Sequence, residues 1–417
     1  MNTTFNFDEI IDRRGTNCFK YDAYRPALGW DDNEAQQRAS YQYWQQASPS
    51  QPYEDANNHV IPMWVADMDF RVAPHILEAI HRRMQHPVMG YAVAPRQYWQ
   101  QVAWWMQHHY QIDPQRGEVH FIPGIVAGIA YAMQALLKAD DKVMVFTPVY
   151  PPFLSLTTHR QVCVPMSEEE GRFTVDFDLM EQLAPQCRML LLSNPHNPGG
   201  RTWSRSELER IADICHRHHL IVVSDEIHAD LVLPNHHHIS YPTINSTALN
   251  HSITFLAPSK TFNIAGLSSS IGYCPHSSPL HDSFMNYLDG WHIANPTLMA
   301  IEATIAAFSQ QSESWLEQLC GYLQGNIDLM RQHFAQHPID ANILYPDASF
   351  LVWMHFKHLS HEEIRSRLLY DARLGFNDGK DFYADKSFAG HFRINIGCPR
   401  QVLQEALNRI TRVFPPA

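Results

Sequence analysis

A chain of 417 residues exceeds what one hydrophobic core ordinarily organises, and 45% apolar with 12% aromatic content is enough to build two. Its formal charge of -12 comes without any basic block, which argues against a nucleic-acid surface or an anionic membrane as partner. No apolar run approaches the roughly 20 residues of a membrane helix, so the composition fits an enzyme acting on small molecules.

Met1 to Gly15 carries Asp8, Glu9, Asp12, Arg13 and Arg14 and no apolar stretch of signal-peptide length, so a cytoplasmic protein is expected. Residues 31–58, rich in Gln, Ser, Pro and Asn, read as a surface excursion within an N-terminal segment (1–60) that joins a smaller domain. From 61 to 295 short apolar runs alternate with helical patterns. Strands are predicted at 142–147, 161–165, 189–193, 220–224, 252–257 and 269–274, and helices at 124–139 and 206–219, the latter capped by Ser204 or Ser206. Near-continuous apolar character marks parallel strands covered on both faces, hence an α/β domain. A long helix over 302–334, followed by strands near 350–354 and 391–396, predicts a connecting helix and smaller α+β domain over 296–417.

Seven scattered cysteines without Cys-x-x-Cys spacing indicate reduced thiols. Among 26 histidines the runs His108-His109, His216/His218/His219 and His236-His237-His238 are expected as exposed loop residues. Sequence neighbours splay apart and do not converge on one ion, so no metal is expected.

The chemistry-bearing segments each follow a predicted strand. His120-Phe121-Ile122-Pro123-Gly124-Ile125-Val126 is a strand, a turn and a small-residue helix entry, able to offer backbone N–H groups to a phosphate; an ordinary turn into a core helix is the competing account. In Pro148-Val149-Tyr150-Pro151-Pro152-Phe153, Tyr150 can stack on a flat ring or simply fill a loop corner. Asn197, in Pro195-His196-Asn197-Pro198-Gly199, can hydrogen-bond a ring oxygen, or serve as a turn residue. Asp225 ends the strand Ile221-Val222-Val223-Ser224, and Lys260 follows the strand Ile253 to Leu256. Such a lysine can form a Schiff base with an aldehyde cofactor, and such an aspartate can hold a pyridine nitrogen protonated. All of these fall at strand carboxyl ends, where open α/β sheets bind ligands.

In this order, and with Arg393-Ile394-Asn395-Ile396-Gly397 added, the motifs resemble a fold-type I pyridoxal-phosphate enzyme. Trp64-Val65-Ala66-Asp67-Met68-Asp69-Phe70, Gly90-Tyr91 and Asp225-Glu226-Ile227-His228 are similar to the MalY/PatB group of cystathionine β-lyases. The resemblance implies a mainly parallel seven-stranded sheet between helices and pyridoxal 5'-phosphate as cofactor. It implies that Lys260 carries the cofactor, Asp225 pairs with the ring nitrogen, Asn197 bonds the ring oxygen and Tyr150 stacks. Gly124, Ile125, Val126 and Ser259 would hold the phosphate, and Tyr91 would reach it from a second subunit as part of the catalytic set of a homodimer. His228 stands where related aminotransferases often carry tyrosine, and Arg393, with Ala66 and Asn197, would bind the substrate. The sequence departs from the wider superfamily at Ser268, where a phosphate-binding arginine is frequent, and at Ala257, Gly199 and His355. The same residues serve β-elimination of a sulfur amino acid or transamination; the resemblance favours elimination, and a non-catalytic regulatory binder is the third possibility.

Overall fold

A computed structural model describes residues 4–23, 60–293, 295–383 and 388–414; the predicted excursion at 31–58 lies outside them. In chain order the strands are β1 (Ile61–Pro62), β2 (Val119–Ile122), β3 (Lys142–Thr147), β4 (Gln161–Glu169), β5 (Arg172–Val175), β6 (Cys187–Ser193), β7 (Ile221–Asp225), β8 (Ser252–Leu256), β9 (Ser270–Tyr273), β10 (Ala341–Leu344), β11 (Leu351–Phe356), β12 (Leu374–Gly375), β13 (Asn377–Asp378) and β14 (His391–Asn395). The described chain divides into two compact units. One holds residues 72–320 and 346–349 with the first five residues, and the other holds 6–71, 321–345 and 350–417. Residues 296–320, expected with the C-terminal domain, group with the first unit.

The first unit is built on an eight-stranded sheet of order β2-β9-β8-β7-β6-β3-β4-β5. Strands β4, β3, β6, β7 and β8 are mutually parallel; β9 runs against both β8 and β2, so β2 shares the common direction. The apolar runs read from the sequence are these strands, and their side chains pack under the helix Ile125–Leu136 as Val143, Val145, Leu191, Val223 and Phe255 against Ile125, Ile129 and Met133. Gly128 sets how closely that helix approaches: a Cβ there would meet Phe255 Cε1 at 2.7 Å and Ile122 Cγ2 at 3.0 Å.

Two expectations need correction. The sheet has eight strands because β4 runs past Pro165, leaves β3 at the Thr147–Pro165 pair and continues as a hairpin with β5 through Glu170 and Gly171, both at positive φ. The long helix expected over 302–334 is two helices, Leu298–Ala307 and Glu313–Gln336, separated by a turn at Gln310–Ser312. The intervening Ser-Gln-Gln-Ser run supplies side chains that compete for backbone groups, and Ser309 Oγ donates to the Ala306 carbonyl at 2.6 Å. The helix Arg205–Arg217 opens at Ser204, one of the two expected caps, and Glu207 completes a capping box there.

The second unit carries an antiparallel sheet β10-β11-β14-β13, the helix Arg400–Val413, and a short parallel pair β1–β12. Its N-terminal segment is fastened by charge. Arg13 bonds Asp67 and Asp69, both at 2.6 Å, and buried Lys20 bonds Asp69 at 2.7 Å while its carbonyl accepts from Trp64 Nε1. Burial works against the charge on Arg13, yet its two carboxylate partners raise its pKa well above the ordinary value. The segment's other attachment reaches the far end of the chain: Asn395 N–H donates to Met63 O and Asp69 N–H to Gly397 O, each at 2.8 Å. No helix among the described residues is long and apolar enough to cross a membrane.

Candidate active site

Asp225 closes β7, where it is paired in register with Phe255 of β8; five residues beyond Phe255 the chain places Lys260 in the one-turn helix Pro258–Thr261. Asp225 is buried and its Oδ1 accepts the Ile227 N–H at 3.1 Å. Burial dominates its electrostatics and pushes the carboxyl up to about 7, with Glu226 adding to the rise, against the Ile227 bond and the positive charge of Lys260. A carboxylate so placed is stabilised by a cation brought against it, and the protonated nitrogen of a pyridine ring meets that requirement.

The neighbouring acid is differently employed. Glu226 Oε1 accepts from Ser224 Oγ at 2.8 Å and from the Tyr241 N–H at 2.9 Å, and Oε2 meets His238 Nε2 at 3.0 Å. His238, expected in an exposed run, is therefore a largely buried partner of a buried carboxylate, whereas His236 and His237 are exposed. His108 and His109 also depart from expectation. They end the helix Arg96–Tyr110, each ring stacks on the tryptophan four residues before it, and their Nε2 atoms lie 3.8 and 2.9 Å from Glu313. Helical packing rather than loop splay sets their directions.

The loops after β3 and β6 are locked together. The buried His196 ring donates from Nε2 to the Pro148 carbonyl at 2.9 Å, and burial, followed by the nearby Arg201 charge, pushes its pKa down to about 3, so it stays neutral. Asn194 N–H donates to the Asp225 carbonyl at 2.9 Å, and Asn197 N–H to Ser193 Oγ at 3.1 Å, which holds the buried Asn197 at the end of β6 beside β7. Tyr150 begins the helix Pro151–Leu156, half-buried and edge-on to Phe153 at 6.4 Å. Gly199 has a steric reason: a Cβ there would meet Phe173 Cδ2 at 2.5 Å and His196 Nδ1 at 3.1 Å, so the hairpin strand β5 occupies the room a larger residue needs.

At the end of β2, Gly124 is the N-cap of the helix Ile125–Leu136, whose first ladder bond is Gly128 N–H to Gly124 O at 2.9 Å. The N–H groups of Ile125, Val126 and Ala127 thus precede the ladder, and a Cβ built on Gly124 meets nothing within 4 Å. That open, donor-rich end suits a phosphate. Ser259 is buried in the turn that carries Lys260, while Ser268 is exposed at φ 51°. His228, buried after β7, has Nδ1 3.0 Å from the hydroxyl of Ser349, itself at φ 75°. Ser349 was not anticipated, and a separation of 121 residues leaves no local signal for it.

The strand directions therefore bring Gly124, Ile125, Val126, Tyr150, Asn197, Asp225, His228, Ser259 and Lys260 to one edge of the sheet. In the second unit Arg393 is buried on β14, donates from Nη2 to Trp64 O at 3.0 Å and Asn377 Oδ1 at 2.5 Å, and lies over the Phe382 ring at 5.0 Å. Asn395 bonds the carbonyls of Val65 and Asp67 at 2.5 and 2.6 Å, which holds the backbone on both sides of the buried Ala66. Tyr91 is not gathered into the single-chain site; its side chain is fully exposed.

Comparison with known proteins identifies the family. The chain is similar to cystathionine beta-lyase PatB of Bacillus subtilis (strain 168), 32% identical over 97% of this chain and 98% of the relative. It is similar in structure to cystalysin from Treponema denticola, which contains a pyridoxal 5'-phosphate cofactor (TM-score 0.86, 26% identity, 99% of each chain). It is also similar to the pyridoxal-phosphate-bound C–S lyase from Staphylococcus hominis complexed with L-cycloserine (TM-score 0.84, 28% identity, 99% of this chain and 98% of that one). Residues 58–410 match the aminotransferase class I and II family, and the chain belongs to that family.

Proposed function

We propose that the protein is a pyridoxal-phosphate-dependent carbon–sulfur β-lyase that cleaves cystathionine or a related cysteine S-conjugate to a thiol, pyruvate and ammonia. The observation that carries this reading is the similarity to cystathionine beta-lyase PatB over nearly the whole of both chains. When bound, the cofactor supplies an aldehyde that captures the substrate amino group and a ring that accepts the electron pair left at Cα. Lys260 provides the amine that removes the Cα proton, and Asp225 holds its negative charge against the ring nitrogen. Asn197 would donate to the ring oxygen, Tyr150 would pack on the ring, and the Ile125 and Val126 amides with Ser259 would hold the phosphate. Arg393, a planar guanidinium already oriented by Trp64 O and Asn377, binds the substrate carboxylate, with Ala66 in the adjoining segment. Loss of the Cα proton toward Lys260 leaves the Cβ–S bond free to break, the sulfur departs as thiolate and takes up a proton, and the aminoacrylate that remains is released and hydrolysed by one water to pyruvate and ammonia.

A cytoplasmic homodimer completes the proposal, with Tyr91 of each subunit serving the phosphate of the other. The exposed apolar side chains around Tyr91, namely Met84, Val88, Met89 and Val93, support an interface there. The deciding experiment incubates the purified protein with cystathionine and S-alkyl cysteines and measures pyruvate, ammonia and thiol together. Equal yields without any keto acid are expected; product formed only when a keto-acid acceptor is added would establish transamination instead.

A further inference from the structure

Asp230 stands five residues beyond Asp225 and belongs to none of the roles above. Its carboxylate collects three side-chain donors from distant parts of the first unit: Trp105 Nε1 to Oδ1 at 3.0 Å, the Tyr110 hydroxyl to the same oxygen, and Thr261 Oγ1 to Oδ2 at 2.7 Å. Thr261 is the residue after Lys260. The next, Phe262, meets the edge of the Trp105 ring at 5.7 Å, and Trp105 is stacked on Phe308 at 5.1 Å. Trp105, Thr261 and Phe262 are completely buried.

The chemistry of these donors is one-directional. An indole N–H can only donate, and burial, then the adjoining Asp230 charge, raises the Tyr110 phenol well above its ordinary pKa, so it keeps its proton. A partly buried carboxylate with its lone pairs so occupied is a fixed point, because loss of any one donor leaves buried polar groups unpaired. The fixed point is attached, through one hydroxyl, to the turn that carries Lys260. A lysine has four rotatable bonds, so the direction of its amine depends on how firmly that turn is held.

We propose that Asp230, clamped by Trp105 and Tyr110, is a positioning residue that holds the Lys260–Thr261 turn through Thr261 Oγ1 and thereby aims the Lys260 amine at the substrate Cα proton. The proposal rests on the reading of Lys260 as the cofactor-bearing base. Asp225, Glu226 and Asp230 are the acids around this region, and Asp230 is tied to the lysine turn by the Thr261 hydroxyl.

The test compares Thr261→Val, which deletes the bond with little change of shape, with Thr261→Ser, which retains the hydroxyl, and with Asp230→Asn. Each holoenzyme is measured for kcat and KM in β-elimination and for the pH titration of cofactor absorbance, which reports the lysine–cofactor linkage. Thr261→Val is expected to lower kcat roughly tenfold or more with KM changed less than about threefold, because misaiming affects proton transfer more than binding. Its absorbance titration should move by about half a pH unit or more, and Thr261→Ser should restore both readouts. Asp230→Asn should follow Thr261→Val; if it fails to fold, the Thr261 pair still decides. The proposal is overturned if Thr261→Val keeps the wild-type kcat and titration, or if it loses thermal stability alone. A wild-type protein that stays colourless with pyridoxal phosphate would instead overturn the reading of Lys260.

Discussion

Asp225 and Glu226 are adjacent acids with opposite fates, and the difference lies in what each side chain meets. Glu226 is taken up by Ser224, Tyr241 and His238, whereas burial lifts Asp225 to about 7, well above the 3.8 of an unperturbed aspartate. Since the folded state raises this pKa, the contribution of Asp225 to the stability of the cofactor-free protein is fully present below pH 3.8 and is lost as pH rises through about 7. Asp225→Asn cannot ionise, so its cofactor-free form should gain on the wild type by on the order of 2 kcal/mol between pH 5 and pH 8, read from urea unfolding. A stability difference independent of pH would remove the buried-carboxylate argument. In the holoenzyme the same substitution should abolish most turnover, as should Lys260→Ala, which should also lose the yellow colour. Arg393→Lys should raise KM by about tenfold or more, because an ammonium does not reproduce the planar fork. Lysine and aspartate could be picked out from sequence because each follows an apolar strand. Ser349 could not, nor could the donors on Asp230, since Tyr110 and Trp105 are separated from it by 120 and 125 residues.

Among the elements, the central strands were legible because burial on both faces leaves nearly unbroken apolar runs, as in Val143–Phe146 and Met189–Leu192. Strand β5 was not, because in Arg172-Phe173-Thr174-Val175 only Phe173 is fully buried and four residues carry little periodicity. That single side chain nevertheless decides the residue at Gly199. Gly199→Val is expected to destabilise the protein by about 1–3 kcal/mol through overpacking. Combined with Phe173→Leu the loss should be smaller than the sum of the two single changes, measured as a double-mutant cycle in urea. Strict additivity would show that the two sites do not share space. The break between Leu298–Ala307 and Glu313–Gln336 was missed for another reason: it contains neither Gly nor Pro, and only the polar run from Ser309 to Ser312 marks the turn.

For the whole molecule, Tyr91 poses the question of assembly. An exposed tyrosine amid Val88, Met89 and Val93 is expected to be covered by a second copy, so the protein should sediment as a dimer. Tyr91→Phe should preserve that dimer and weaken cofactor retention, and mixing it with Lys260→Ala under subunit exchange should return part of the activity. An active monomer would refute shared sites.

The fastening of residues 6–23 and 63–69 has a further consequence in time, because the second unit draws on both ends of the chain. Met63 and Asp69 are bonded to Asn395 and Gly397, and Trp64 to Arg393. During synthesis these early residues must therefore wait for more than 320 others, which at about 5–20 residues per second is on the order of 20–60 s. Over that interval Lys20, Asp67 and Asp69 are made but lack the β14 segment that completes their surroundings, while most of the first unit, residues 72–320, is already made. Ribosome-arrested chains ending at 320 should accordingly be cut by protease within 6–71 and resist it over the eight-stranded sheet. The later segment thus seals the earlier one, and a nascent chain is vulnerable around Met63 and Asp69 until Asn395 and Gly397 arrive.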